Sequence, residues 1–246
     1  MLGASTYLIA GLAVMCLGLS KGGFIGFGMI ATPLLALVIP PLQAAALLLP
    51  IMLTQDVFSA WVFRHECDYR TLAIMLPGTL VGIAIAWIFA THIEQAMVRL
   101  TVGLVGVSFA ISHWGGLKMR AKSSGAGLLW GTVAGFTGTL ANAGGPPFLV
   151  FALSQDFSKM VFVGTAAMFF LALNAVKLGP FFALGQFSSE NLMTSLLLLP
   201  LAIVANAVAI RLVRRIPSSA FYRVSYALVF AVSAGLIWQG ITQHGR

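Results

Sequence analysis

The sequence predicts an all-α polytopic membrane protein, and three observations lead to that fold class. First, 59% of the 246 residues are hydrophobic and only 8% are charged, whereas soluble domains carry roughly 25% charged residues to cover their surface. Second, the apolar stretches have the length of a membrane-spanning helix. Third, two of those stretches contain dense glycine segments, residues 18–28 and 131–147. The bilayer must therefore be the outer solvent of this chain.

Six apolar stretches have the length of one full crossing, about 20 residues. They are residues 43–63, 71–91, 95–114, 160–183, 190–210 and 219–240. Two further regions, 4–39 and 125–155, are too long for one crossing, and each is interrupted by its glycine segment and then by proline, at Pro33 or at Pro146 and Pro147. We expect each to form a broken or re-entrant pair of shorter helices, which gives about eight helical regions in ten pieces.

The basic residues test this division, because Lys and Arg collect on the cytoplasmic side of a membrane. Two basic clusters, at residues 118–122 and 211–215, enclose the second broken region and two full crossings. Both clusters lie on the same side only if the broken region crosses twice or returns without crossing. Each half then has five pieces, and an odd number inverts the second half relative to the first. We expect one transmembrane domain over residues 1–246, with inverted repeats at about 4–116 and 124–241.

The duplication is also visible in the residues themselves. Three positions of the first half recur in the second half at a constant offset of 113 residues: Gly18, Gly22 and Pro33 match Gly131, Gly135 and Pro146. The two glycine segments therefore occupy equivalent places in the predicted repeats.

Composition and motifs exclude several other classes of protein. The net charge is +8, but the basic residues lie in short gaps between apolar runs, so no nucleic-acid partner is expected. Cys16 lies in an apolar segment and Cys67 in a short loop, which is not the pattern of a disulfide framework or a thiolate metal site. No nucleotide-binding loop, metalloprotease motif or nucleophile elbow is present in the sequence, so we expect neither an enzyme nor a cofactor.

The glycine segments are the first candidate binding site. Unwound backbone inside a bilayer is tolerated where it is buried in protein or lines a cavity, and the amide groups at a helix end suit an anion. We expect the substrate-binding residues to be Lys21, Gly22, Gly23, Gly26, Gly28, Asn142, Gly144 and Gly145. Two alternatives stay open: glycines spaced by four form helix-packing faces, and a lysine near a helix end can reach to the membrane surface.

Two ionisable residues inside predicted crossings are further candidates, because such residues are costly in a membrane. Lys177 is expected to attract the anion, and Asp56 to carry a proton or act as a gate, with Gln55 and Asn174 extending a polar path. The alternatives are a purely structural buried ion pair, or side chains that reach to opposite surfaces. His113 is interpreted as an interface residue.

The two glycine segments carry a family resemblance. Residues 22–35, Gly-Gly-Phe-Ile-Gly-Phe-Gly-Met-Ile-Ala-Thr-Pro-Leu-Leu, and residues 135–149, Gly-Phe-Thr-Gly-Thr-Leu-Ala-Asn-Ala-Gly-Gly-Pro-Pro-Phe-Leu, resemble the motifs of the TauE/SafE family of sulfite and organosulfonate exporters. The resemblance extends over roughly residues 5–240. The family motif maps onto Gly22, Gly26, Gly28, Pro33, Gly135, Gly138, Gly144, Gly145 and Pro147.

The resemblance implies a multi-pass permease of the bacterial inner membrane for small sulfur-containing anions. Our hypothesis is a secondary transporter, an exporter in direction, which works by alternating access at a midplane anion site with protons as the coupling ion. A passive anion channel is the competing class. A membrane-embedded enzyme or assembly subunit is the third class, and the missing catalytic motif argues against it.

Overall fold

The computed structural model describes residues 4–35, 37–39, 41–89, 95–115, 122–183 and 187–244. Within those ranges the chain forms ten α-helices, one short 3-10 helix and no strand. The helices are α1 Ala4–Lys21, α2 Gly28–Leu35, α3 Pro41–Val62, α4 Tyr69–Phe89, α5 Gln95–Trp114, α6 Ser124–Ala141, α7 Gly145–Leu153, α8 Lys159–Ala183, α9 Ser189–Arg215 and α10 Ser218–His244. All six stretches that were predicted to cross the membrane are helices.

Five of these helices are long and apolar enough to cross a bilayer, namely α3, α4, α8, α9 and α10. Helix α5 covers the predicted stretch 95–114, and α1 is a shorter apolar helix. Helix α9 continues to Arg215, five residues beyond its predicted end at 210. The protein is therefore a multi-pass, all-helical membrane protein.

The first glycine segment breaks the helix, as predicted. Helix α1 ends at Lys21, and Gly23 follows with φ of 131°, a conformation that side chains rarely allow. The 3-10 helix Ile25–Phe27 then leads into α2. The Ser20 hydroxyl donates to the carbonyl of Ile25 at 2.9 Å, and α2 packs back onto the apolar face of α1. Helices α1 and α2 thus form a helical hairpin.

The second glycine segment forms a similar hairpin from α6 and α7. Helix α6 ends at Ala141, its C-cap residue Asn142 has φ of 50°, and the Thr137 hydroxyl donates to the carbonyl of Ala143 at 3.0 Å. At the open end, Lys122, two residues before α6, forms an ion pair of 2.6 Å with Asp156 in the loop after α7. The chain therefore leaves the hairpin at the end where it entered.

The second helix of each hairpin is short. Helix α2 has 8 residues and α7 has 9, so they span about 12–14 Å at 1.5 Å per residue, less than half of the roughly 30 Å hydrocarbon layer. Neither helix is long enough to cross the bilayer alone, and a re-entrant course of both regions stays a prediction. The expectation that proline interrupts them is wrong: Pro33 lies inside α2, while Pro146 and Pro147 lie in the first turn of α7, where a missing N–H costs no hydrogen bond.

The chain divides into two compact units. The first contains Met1–His65 and Ala166–Ile216, and the second contains Glu66–Thr165 and Pro217–Arg246. Helices α1, α2, α3 and α9 belong to the first unit together with most of α8, whereas α4, α5, α6, α7 and α10 belong to the second. Each unit therefore draws helices from both predicted repeats.

In the first unit, α1 packs closely along α9. A Cβ atom on Gly18 would lie 2.5 Å from that of Ala205, and one on Gly22 would overlap Ala209. Because the residue numbers rise together along both helices, α1 and α9 run in the same direction. For these two glycines the structure shows the helix-packing face that was the alternative to a binding role.

In the second unit, α4 and α6 also run in the same direction with glycine at their contact. A Cβ atom on Gly78 would overlap the carbonyl of Leu128, and one on Gly82 would overlap that of Thr132. Helix α6 contributes its own glycines to the same interface, since Gly135 lies against the carbonyl of Thr79. The second glycine segment therefore also packs helices together.

Helices α5 and α10 of the second unit run in opposite directions. Gly103 lies against Ile237, whereas Gly240 lies further along α10 and contacts Leu100, which precedes Gly103 on α5. These two helices are the last pieces of the two predicted repeats. Their opposite direction is the arrangement that inversion requires.

Candidate functional site

A polar seam joins α3 to α9 in the first unit. The Ser195 hydroxyl donates to the carbonyl of Leu47 at 2.7 Å, and the Gln55 amide donates to the carbonyl of Ala202 at 3.0 Å. One turn further, Asn206 Nδ2 donates to the carbonyl of Gln55 at 3.0 Å. Such hydrogen bonds hold membrane helices in a defined register, because a lipid environment offers these groups no other partner. The seam therefore fixes α3, which carries Asp56.

Ser59 connects this seam to the end of α1. Its hydroxyl accepts a hydrogen bond from Asn206 Nδ2 at 3.0 Å and donates to the backbone carbonyl of Lys21 at 2.9 Å. The last carbonyls of a helix lack partners within the helix, so Ser59 supplies the partner that the break in α1 removes. This bond places the Lys21 side chain beside the buried face of α3.

Lys21 and Asp56 form a buried ion pair. Lys21 Nζ lies 2.7 Å from Asp56 Oδ1, and the two side chains are 7% and 0% exposed. The other carboxylate oxygen, Oδ2, accepts a hydrogen bond from Asn174 Nδ2 at 2.7 Å. The Lys21 ammonium therefore does not reach to the membrane surface, which removes that alternative for this residue.

Lys177 completes the cluster from α8. It lies one helical turn after Asn174, is 2% exposed, and interacts electrostatically with both Asp56 and Lys21. Aromatic rings lie near both ammonium groups: the Phe170 ring centroid is 5.0 Å from Lys21 Nζ, and the Phe181 centroid is 5.9 Å from Lys177 Nζ. Ring faces stabilise cations in surroundings without water. The structure thus brings Lys21, Asp56, Asn174 and Lys177 together, although the sequence places them in three separate helices.

The charges of this cluster do not cancel. Lys21 and Lys177 contribute two ammonium groups and Asp56 one carboxylate, so the fully ionised cluster carries one net positive charge. An uncompensated charge buried in a membrane protein costs several kcal/mol. A bound anion is the natural way to offset it.

Two buried amide oxygens of this unit have no hydrogen-bond partner among the described residues: Asn174 Oδ1 within the cluster, and Gln55 Oε1 on the side chain that bonds α9. The carboxylate determines the orientation of Asn174, because only an N–H group is favourable next to Asp56 Oδ2. Its oxygen must therefore point away from the carboxylate. These acceptors suit a ligand or water that brings its own hydrogen-bond donor.

The other glycines of the first segment shape the backbone next to Lys21. Gly23 supplies the positive φ, and Gly26 is buried within the 3-10 helix. A Cβ atom on Gly28 would lie 2.6 Å from the Ser20 hydroxyl that closes the hairpin. Positive φ explains Gly23, and close contacts explain Gly22 and Gly28. Direct substrate binding by Gly22, Gly23, Gly26 and Gly28 stays a prediction.

The remaining predicted site residues lie in the second unit. Asn142 caps the C-terminal end of α6, Gly144 precedes α7 with φ of −71°, and Gly145 is the first residue of α7. Their role in substrate binding stays a prediction.

Sequence reasoning missed two members of the first-unit site, Ser59 and Asn206. Both are fully buried. A signal was available for Ser59, which follows Asp56 by three residues and so lies on the same face of α3. Asn206 stands alone in an apolar run of α9, which is itself a mark of a functional or packing role in a membrane helix.

The fold and the buried charges define a class of protein: a multi-pass helical membrane protein with an ionisable cluster inside its helix bundle, as membrane transporters have. The family follows from a direct comparison. Residues 8–236 match the family described as sulfite exporter TauE/SafE, and the chain belongs to that family. No curated protein and no solved structure matches it significantly. A member of this family is a membrane transporter of the sulfite-exporter type.

Proposed function

We propose that this protein is a secondary transporter of small sulfur-containing oxyanions, such as sulfite or an organosulfonate, and that the cluster around Lys21 and Lys177 binds the substrate. The observation that carries the proposal is that two lysines lie with a single carboxylate in this buried cluster, so that its fully ionised form has one positive charge left for an anion. Oxyanions of sulfur present several acceptor oxygens, and bonds from ammonium groups to such oxygens are about twice as strong as those between neutral groups. One monoanion would neutralise the cluster.

Asp56 is the proposed gate. Its carboxylate holds the Lys21 ammonium at 2.7 Å, and an entering oxyanion would compete for the same ammonium. Protonation of Asp56 would release Lys21 to the substrate, which would link anion movement to proton movement. Asn174 would keep the carboxyl group in place during this exchange, because it binds the other oxygen.

Helix directions support inverted repeats as the basis of alternating access. The last pieces of the two repeats, α5 and α10, run in opposite directions, while α1 runs with α9 and α4 with α6. All three relations are those of a second half inverted with respect to the first. We place the basic clusters on the cytoplasmic side of a bacterial inner membrane, and the family description indicates export as the direction.

Transport by the purified protein in liposomes tests the proposal. Flux would be measured for sulfite, thiosulfate, sulfonates, sulfate and carboxylates, and we expect saturable flux with counter-transport for the sulfur oxyanions. The variants Lys21→Gln and Lys177→Gln should each lower flux about tenfold or more, because each removes a charged hydrogen bond to the substrate. The matched control is Arg211→Gln, which removes an exposed positive charge in the same unit.

Two results would contradict the proposal. Unchanged flux in both lysine variants would show that the cluster does not bind the substrate. Flux that rises linearly with concentration at single-channel rates would show a pore in place of a carrier.

A further inference from the structure

The second unit contains a cavity of about 440 Å³ that the proposed transport site does not use. It lies where the last turn of α5, the end of α7 and the first turns of α10 meet. Its lining includes His113, Asp156, Ser219, Tyr222, Arg223 and Tyr226. All of these residues belong to the second unit, whereas Lys21, Asp56 and Lys177 belong to the first.

Stacked rings and a short loop give this cavity a defined wall. The His113 ring lies parallel to that of Tyr226, with centroids 3.5 Å apart and an interplanar angle of 4°. Tyr226 also stacks on Phe109. The Tyr222 hydroxyl donates to the carbonyl of Phe157 in the loop between α7 and α8. These contacts hold the aromatic side of the cavity in place.

The polar groups that face the cavity are mainly hydrogen-bond donors. Among the residues that the structure describes, none accepts a hydrogen bond from the side chains of Arg223, Ser219, Tyr226 or His113. The one carboxylate in the lining, Asp156, is already bound by Lys122 at 2.6 Å. Arg223 therefore forms no ion pair with a carboxylate among the described residues.

We propose that this cavity binds a phosphate group. A guanidinium group can hold two phosphate oxygens at once, and the Ser219 and Tyr226 hydroxyls supply further donors. The cavity lies at the end of the second unit that carries Lys122, which the positive-inside rule assigns to the cytoplasm. Anionic lipid headgroups are concentrated on that side, and free phosphate compounds are also present there.

The exposed Trp114 ring at the same helix end is consistent with a position at the membrane surface, where tryptophan is enriched. A phospholipid headgroup could therefore enter from the bilayer and free phosphate from the water. The chemistry that the cavity recognises is the same in both cases. The experiment must separate the two sources.

Thermal unfolding of the purified full-length protein in detergent tests the proposal. The first probe is inorganic phosphate against chloride at equal ionic strength, and the second is phosphatidylglycerol against phosphatidylcholine in mixed micelles. A ligand that binds only the folded protein raises the unfolding temperature in a saturable way. The variants are Arg223→Gln and Tyr226→Phe, which keeps the ring stack. The matched control is Arg70→Gln, which removes an exposed arginine of the same unit.

We expect Arg223→Gln to weaken the apparent affinity about tenfold or more and Tyr226→Phe by about fivefold, because the first loses a charged hydrogen bond and the second a neutral one. Saturable stabilisation by phosphatidylglycerol alone identifies a lipid headgroup, and stabilisation by inorganic phosphate alone identifies a soluble ligand. Stabilisation by both shows that the phosphate group suffices. The proposal is overturned if neither probe stabilises the protein, or if Arg70→Gln loses as much stabilisation as Arg223→Gln.

Discussion

The two helical hairpins share a backbone design but carry different chemistry. The α1–α2 hairpin ends at Lys21, whose ammonium is buried against Asp56. The α6–α7 hairpin ends at the uncharged Asn142, and every residue of α7 is buried and apolar or glycine. Both hairpins use glycine to approach a neighbouring helix closely. Glycine-rich breaks in this protein therefore serve packing in both units, while the first hairpin adds a buried positive charge.

The largest effect is expected from a substitution that removes the charge by which the first hairpin differs from the second. Lys21→Met removes the ammonium group that lies 2.7 Å from the fully buried Asp56 carboxylate, and breaking a buried pair in this way costs about 3–5 kcal/mol. We expect this loss in the free energy of unfolding, measured by denaturant titration in mixed micelles. The triple variant Lys21→Met, Asp56→Asn and Lys177→Met, which leaves no charge in the cluster, should recover most of the stability but not anion flux.

Arg211→Gln is the control for that experiment, because its side chain is exposed in the same unit. A Lys21→Met variant as stable as the control would contradict the buried ion pair. Recovery of flux in the triple variant would instead show that the charges of the cluster are not used for transport.

The next effect tests the feature that both hairpins share. Alanine at Gly22 would overlap Ala209, and alanine at Gly135 would overlap the carbonyl of Thr79. Forcing a methyl group into such contacts costs about 1–3 kcal/mol, so both variants should unfold at lower denaturant concentration by similar amounts. Gly179→Ala is the control, since the methyl group that it adds to α8 would have no neighbouring atom within 4 Å. A stable Gly135→Ala variant beside an unstable Gly22→Ala variant would break the equivalence of the two hairpins.

The smallest effect concerns the hydrogen bonds that close the two breaks. Ser59→Ala removes the donor to the Lys21 carbonyl and the acceptor for Asn206, whereas Thr137→Val removes one donor to Ala143. A buried polar group left without its partner costs about 1–3 kcal/mol. We expect Ser59→Ala to lose more stability than Thr137→Val, and to lower anion flux as well because it loosens the end of α1. Equal flux in the two variants would show that Ser59 does not position Lys21.

Much of the architecture could be predicted from residue order because it depends on local properties. Hydropathy over about 20 residues located the crossings, and glycine density located the two breaks. The role of proline was wrong for a local reason: Pro146 and Pro147 occupy helix positions where no N–H is needed. The hairpin geometry could not be predicted, because hydropathy does not resolve the lengths of α2 and α7.

The sequence indicated which residues belong to the candidate site, but not which of them contact one another. Lys21, Asp56, Asn174 and Lys177 stood out because ionisable and amide groups are rare inside membrane helices. Their contacts could not be predicted, because the sequence allows the Asp56 carboxylate to pair with Lys177 alone just as well as with Lys21. Ser59 and Asn206 were missed for the same reason, because their value comes from a contact 147 positions apart in the chain.

The order of residues alone indicated the membrane environment, the number of helical pieces and the positions of the breaks. These properties follow from composition, apolar length and glycine content within one segment of chain. Three features became visible only in the folded protein. Both breaks are helical hairpins, Lys21 is the direct ion partner of Asp56, and a polar seam holds α3 to α9. The ion pair and the seam arise from packing between segments that are far apart in the chain. In a bilayer, that packing chooses which buried polar groups satisfy one another.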